Sequence, residues 1–253
     1  MKTDIFNILK YIVVVMIIVS SEYEMSSAQD KKTFIINSDL TVTKISDHCY
    51  VHVSYSMMGS WGRIPSNGCI CVDNNEALLF DTPVSDSLTA VLIHWIQDSL
   101  HAKIVGFVPN HFHEDCMGGL NAVHRAGIHS YANILTKQIA EEKRLPIPQT
   151  TFQDSLLLKA GSLNVVCKYF GGAHTKDNIV TWIPSDKVLF AGCMVKEQKA
   201  ANIGNIADAD LAAYPTTLKR VAKEFSDAVI VIPGHGAVGD LSLIQHTLKL
   251  LTK

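Results

Sequence analysis

The order of apolar runs constrains this chain more than any single residue does: each half reads as short strands first, then a helix, a strand and a helix. In the first half, Thr41 to Ser54, Gly68 to Val72 and Ala77 to Phe80 carry β-branched and aromatic residues, with Asn74-Asn75 as the turn before the last of them. Ser85-Asp86 then opens a helix whose apolar residues Leu88, Val91, Leu92, Trp95 and Ile96 recur at helical spacing. A strand follows from Lys103, then a helical stretch from Met117 to Gly127, a short run at His129–Ala132 and a charged helix from about Leu135 to Arg144. Beyond Pro146 and Pro148 a second meander runs through Ser155–Lys159, Asn164–Phe170, Asn178–Ile183 and Val188–Ala191. The last third supplies an amphipathic helix from Asp210 to Phe225, with Pro215 in its first turn, a buried strand at Ala228–Ile232 and a closing helix at Leu241–Leu251. No Pro-, Gly- or Ser-rich linker divides the halves. The order predicts an α/β (α+β) chain folded as an αββα sandwich, two mixed sheets face to face with helices on the outer faces, in one domain spanning 29–253.

Composition removes several functions. Of 253 residues, 47% are hydrophobic and 18% charged, an ordinary globular balance, and a net charge of −2 offers no electrostatic footprint for nucleic acid or an anionic membrane. The N-terminus stands apart. Lys2 and Lys10 precede the apolar run Tyr11–Val19 and a polar stretch ending in Ser26-Ser27-Ala28. That is the layout of a secretory signal peptide, 1–28, and the run falls well short of the roughly 20 residues a membrane span needs. The alternative is an uncleaved anchor. Cleavage implies a periplasmic protein with no stable membrane association, and a monomer is the default expectation. Export would place six cysteines in an oxidising compartment, yet a chain of this size can bury a core without disulfides. Cys49, Cys69, Cys71 and Cys167 read as small buried hydrophobes.

Chemistry concentrates in Asn110-His111-Phe112-His113-Glu114-Asp115-Cys116, placed where the strand from Lys103 ends. Extended residues i and i+2 point to one side, so His111 and His113 can converge on one ion while Asp115 reaches past it. Two surface histidines in a polar loop are the plain alternative. Three more strands end in candidate ligands with glycine nearby: Gly171-Gly172-Ala173-His174, Gly192-Cys193 and Gly234-His235. Glycine permits the sharp turns and close approach that converging strand ends require. Six ligands exceed one tetrahedral zinc that keeps a water and suffice for two. Chemistry divides them into an all-imidazole set, His111, His113 and His174, and a mixed set, Asp115, Cys193 and His235. A water bound to such a metal titrates near neutrality and becomes a nucleophile. His48, His52, His94, His101, His124, His129 and His246 lack this setting and read as structural or surface residues.

Taken together, His111-x-His113-x-Asp115, Ala173-His174-Thr175-x-Asp177-Asn178, Gly192-Cys193-x-x-Lys196, Gly204-Asn205 and Gly234-His235-Gly236 resemble the metallo-β-lactamases, in particular the first, two-zinc subclass of broad substrate range. The resemblance covers nearly the whole chain after residue 28. Ala173 and Ala191 depart from the usual glycines without removing a ligand. Glyoxalase-like thioester hydrolases on the same fold resemble one another in having histidine where this chain has Cys116, and a bridging aspartate where it has Cys193. The resemblance implies two Zn2+ ions and hydrolysis of the β-lactam amide of penicillins, cephalosporins and carbapenems by a zinc-bound hydroxide. It also implies that Lys196 holds the substrate carboxylate, that Asn205 polarises the lactam carbonyl and that Asp115 orients the nucleophile. Ser54 to Asn67 matches the family's mobile flap, with Trp61 at its tip. Two other readings stay open, a thioester hydrolase and a non-enzymatic exported zinc-binding protein.

Overall fold

The computed structural model describes residues 32–57, 59 and 62–252. The expected signal peptide, 1–28, and Trp61 lie outside the described residues. Thirteen strands and six helices are described. β1 (Thr33–Asn37), β2 (Leu40–Lys44), β3 (Cys49–Met57), β4 (Arg63–Asp73), β5 (Glu76–Phe80) and β6 (Lys103–Val108) form one sheet in that order. A second sheet runs β13-β12-β11-β10-β9, from β9 (Ser155–Ala160), β10 (Leu163–Tyr169), β11 (Ile179–Ile183), β12 (Val188–Gly192) and β13 (Ile230–Pro233). In each sheet a run of antiparallel strands ends in one parallel pair, β5 with β6 and β12 with β13. Parallel pairing needs a crossover, supplied by α1 (Asp86–Ser99) in the first half and α5 (Tyr214–Glu224) in the second. The internal repeat expected from the element order is present.

The two sheets bury their facing sides against each other. Cys49, Val51, Cys71, Leu78 and Phe80 of the first meet Val165, Cys167, Ile179, Val188, Phe190 and Ile232 of the second. The outer face of the first sheet packs on α1, α2 (Glu114–Met117), α3 (Leu120–Arg125) and α4 (Ile134–Lys143) through Leu79, Leu92, Ile96, Phe107 and Leu120. The outer face of the second packs on α5 and α6 (Ser242–Leu250) through Leu189, Val231, Leu218, Val221 and Ile244. Each such fully buried side chain contributes about 1.5–3 kcal/mol, and β12, buried at every position, reads for that reason as an unbroken apolar run.

Local chemistry explains the boundaries. Ser85 caps α1 by accepting from Leu88 N, and Asn74 and Asn75, at φ 48° and 64°, make the two-residue hairpin between β4 and β5. Several expectations are corrected. Met117 to Gly127 is not one helix, because Gly118 and Gly119 separate α2 from α3. Added side chains there would meet Val84 O at 2.2 Å and Thr89 Oγ1 at 1.9 Å, so both glycines admit a neighbouring backbone or side chain. The helix expected from Asp210 begins at Tyr214, with Asp210 Oδ1 accepting from Ala213 N in the turn before it. The segment Ser54 to Asn67, expected as a flap, is a hairpin up to its glycines, since Ser54 pairs with Ser66, Tyr55 with Pro65, Ser56 with Ile64 and Met57 with Arg63. β1 and β8 (Thr150–Phe152) add to the expected elements, β8 pairing in parallel with β7 (Tyr131–Asn133), which falls at the expected His129–Ala132 run. All six cysteines are free and buried.

Candidate metal centre

The loops after β6, β10, β12 and β13 meet at one end of the sandwich and carry the six candidate ligands. Buried side chains of both sheets bolt these loops together. Asn110, just beyond β6, donates from its backbone N to Asp81 Oδ1 at 2.5 Å and from Nδ2 to Ile179 O at 2.6 Å, and its carbonyl accepts from Ile179 N. His111 and His113 therefore leave the first sheet at a point pinned to the second. Gly192 has φ 59°, and a Cβ there would lie 2.4 Å from the Asn110 carboxamide, so the turn into Cys193 can be made only by glycine. His174 is carried by a loop resting on the start of α5, where Thr217 Oγ1 donates to Gly172 O and Arg220 Nη1 to Phe170 O. Cys193 is steadied from below by Tyr214, whose buried hydroxyl donates to Met194 O at 2.9 Å.

His111, His113 and His174 bring one ring nitrogen each within 4.8 Å of the others, with rings edge to face and His111 Nε2 only 2.9 Å from His113 Nδ1. Burial, aided by the neighbouring His113, pushes the His111 imidazole down to about 3, and burial likewise holds His174 well below its usual value. Neutral imidazoles are the form a metal accepts. Beside them, Asp115 Oδ2 lies 3.4 Å from Cys193 Sγ and 3.1 Å from His235 Nε2, while Cys193 Sγ and His235 Nε2 are 3.4 Å apart. Ligand bonds of about 2.0–2.3 Å give a zinc tetrahedron edges of roughly 3.3–3.8 Å, so this triangle is close to the size zinc requires.

The charges agree with the geometry. Burial works to raise Asp115, yet the hydrogen bond from His235 and its positive charge leave it well below the carboxylate range. The Cys116 thiol beside Cys193, with His235, holds Cys193 below an ordinary thiol against the effect of burial. Burial opposes charge on His235, but Cys193 and Asp115 draw a proton onto it. That positive charge between two anionic donors is what a divalent cation would supply. The residues present therefore fit zinc.

Sequence reasoning passed over five residues that orient these groups. Asp208 accepts from His113 Nε2 at 2.8 Å. Asn67, in the middle of β4, donates to both Pro233 O and Gly236 O at 2.9 Å, and Pro65 O, two residues before it, accepts from His235 Nδ1 at 2.7 Å. The other two are Asn110 and buried Asp81. Carboxylates and carbonyls on the second nitrogen of a ligating histidine fix its tautomer and orientation. The only warning in the sequence is polar residues inside or at the end of buried strands.

A cavity of about 200 Å³ opens over the centre, lined by Ile64, Asp115, His174, Lys196, Gly204, Asn205 and His235. Lys196 Nζ donates to Cys193 O at 2.8 Å, and burial lowers its pKa while Cys193 and Asp115 hold it up. Asn205 Oδ1 accepts from Ala207 N, which leaves its Nδ2 as the free end of the side chain. No helix among the described residues is long and apolar enough to cross a membrane.

No protein-family model matches the chain. A metallo-β-lactamase type 2 of Bacteroides fragilis is 45% identical over 223 residues, 88% of this chain and 90% of that protein. One from Bacillus cereus is 31% identical over 233 residues, 90% of this chain and 91% of that protein. A solved metallo-β-lactamase from Pontibacter korlensis superposes with a TM-score of 0.81 at 38% identity, covering 85% of this chain and 99% of that one. With this identity over nearly the full length of its relatives, the chain belongs to the metallo-β-lactamase family.

Proposed function

We propose that the chain is an exported, two-zinc β-lactamase of the first subclass, opening the ring amide of penicillins, cephalosporins and carbapenems. The observation that carries this is the shared cavity: His174 of one donor triad and Asp115 and His235 of the other line it together with Lys196 and Asn205. The all-imidazole set would hold one ion and Asp115, Cys193 and His235 the other. When bound, zinc supplies an ionised water near neutral pH and positive charge for a developing oxyanion.

The remaining steps belong to the protein. Lys196, held over Cys193 O, presents an ammonium to the carboxylate of the substrate. Asn205, with Oδ1 committed to its own turn, donates from Nδ2 to the lactam oxygen as charge builds there. Asp115 stays ionised and accepts a hydrogen bond from the attacking water, fixing its direction. Asp208 on His113 and Pro65 O on His235 keep the two imidazoles from turning. No side chain attacks the carbonyl, so no covalent acyl-enzyme forms. Cys116 and Cys193 argue against a thioester hydrolase, and a zinc store would have no use for Lys196 and Asn205 on the cavity wall.

Hydrolysis of a chromogenic β-lactam that a chelator abolishes and added zinc restores is the deciding test; no hydrolysis by zinc-replete protein overturns the reading. Cys193→Ser should lose most of the mixed-site zinc and cut turnover severely, and two bound zincs with near-normal hydrolysis would sink the ligand assignment. Trp61→Ala should raise KM more than it lowers kcat across several β-lactams, as expected of a flap residue. Export with cleavage after Ala28 predicts a mature periplasmic chain starting at Gln29, readable by intact mass.

A further inference from the structure

We propose that Cys116 and Cys193, with His111 and Asp115, form a second and softer ligand set on the floor of the centre, one that captures a thiophilic ion such as Cd2+ and competes with loading of the His235 side. Ligand atoms of these four residues all lie within 4.8 Å of one another, and none of the four is more than 6% exposed. His111 is the hinge of the arrangement. Its Nε2 faces His113, while its Nδ1 lies 3.2 Å from Cys116 Sγ. Asp115 is divided in the same way. Its Oδ2 faces Cys193 and His235, whereas its Oδ1 lies 4.0 Å from both Cys116 Sγ and His111 Nε2.

The two mixed sets differ in access. Asp115 and His235 line the cavity, but His111, Cys116 and Cys193 do not, so the floor set reaches the cavity through Asp115 alone and presents four protein donors, enough to fill a tetrahedron. Four donors without an open position are the arrangement of a structural metal site. Two thiolates favour soft ions over hard ones, and the thiols release their protons as the ion binds. Asp115 and Cys193 belong to both sets. An ion on the floor therefore withdraws two of the three donors from the His235 side. This inference concerns metal capture and stands whatever the substrate.

The test is a Cd2+ titration of chelator-treated protein kept in a phosphine reductant, following the ultraviolet sulfur-to-cadmium charge-transfer band per bound ion. Wild type should give about twice the absorbance per ion of Cys116→Ser, while His235→Ala should keep the full wild-type value. Equal absorbance per ion in wild type and Cys116→Ser overturns the proposal. Should Cys116→Ser fold poorly, the cadmium NMR shift of the wild-type protein alone distinguishes two sulfur ligands from one, and a one-sulfur shift overturns it as well.

Discussion

The two ends of the sandwich are held by different physics. At the centre's end, the sheets are joined by shielded bonds from side chain to backbone, Asn110 to Ile179 and Asn67 to Pro233 and Gly236, and Asp81 fixes the Asn110 amide within the first sheet. At the far end, turns are clasped across the sheets by carboxylates whose partners are part-buried or exposed. Asp186, in the turn after β11, accepts from Ser46 Oγ, His48 N and the His48 ring, and Asp73 accepts from Ser162 N and Oγ. Bonds wholly shielded from water hold position more firmly than bonds whose partners reach the solvent, where ionic attraction is screened. The molecule spends its close contacts where ligands must meet.

The sharpest way to break this comparison is to add one methyl group at each end. In Gly234→Ala, the new Cβ would lie 2.3 Å from Cys193 Sγ and 2.6 Å from Cys193 N, so His235 and Cys193 cannot keep their spacing. Zinc affinity of the mixed set should fall about 100-fold or more, with kcat/KM falling in parallel, as zinc content after dialysis and steady-state rates will report. Gly161→Ala at the far end is strained too, with φ 56° and a Cβ 2.8 Å from that of Asn74. It should cost roughly 1–3 kcal/mol of stability in urea unfolding while the folded enzyme keeps its zinc and its rate. Equal loss of zinc in both variants would end the distinction between the two ends.

Asn67→Ala comes next in size. It leaves Pro233 O and Gly236 O without their donor and loosens the loop that carries His235. Zinc affinity should drop about 10-fold and stability by about 1–3 kcal/mol, the cost of leaving buried carbonyls unpaired. A variant that loses stability but binds zinc as before would show Asn67 to be a joint of the fold with no part in orienting His235.

Asn67 also marks the limit of what the sequence makes legible. Strand-then-helix order and the ligand types are local signals: an imidazole beside glycine at the end of an apolar run is visible within five residues. The partners of Asn67 lie 166 and 169 positions away, and beside Gly68 it carries the signature of a turn. It sits in mid-strand because a side chain at 68 would meet the buried His52 ring at 2.0 Å, so glycine there admits His52. β1 escaped notice because its residues alternate between exposed and half-buried on a sheet edge, and Ile35 is 81% exposed. The hairpin of the flap is hidden for the opposite reason. Gly59 and Gly62 interrupt the composition of a hairpin whose pairing continues on both sides of them. Cys116 is informative in the sequence chiefly as a missing histidine, and its contact with His111 Nδ1 emerges from packing.

The smallest effect belongs to the far clasp, and it carries a pH signature that the buried joints lack. The hydrogen bond to Asp186 raises His48 above its ordinary value. Burial pulls the Asp186 carboxyl upward, but the bonds from Ser46 and His48 pull harder and leave it at about 2. A depressed carboxyl contributes stability that is present above its unfolded value near 3.8 and is lost as pH falls toward about 2. A raised histidine contributes stability that is complete below its unfolded value of 6.5 and is lost as pH rises through the folded one. The pair is therefore worth most between roughly pH 4 and 6.5, and with His48 35% exposed its charge contributes only about 0.5–1 kcal/mol. Urea midpoints of wild type and Asp186→Ala, compared near pH 3, 5.5 and 8, should differ most at the middle value, with zinc content unchanged throughout. A difference independent of pH would mean that the clasp acts through its turn hydrogen bonds alone, and that both ends of the sandwich are held by the same kind of force.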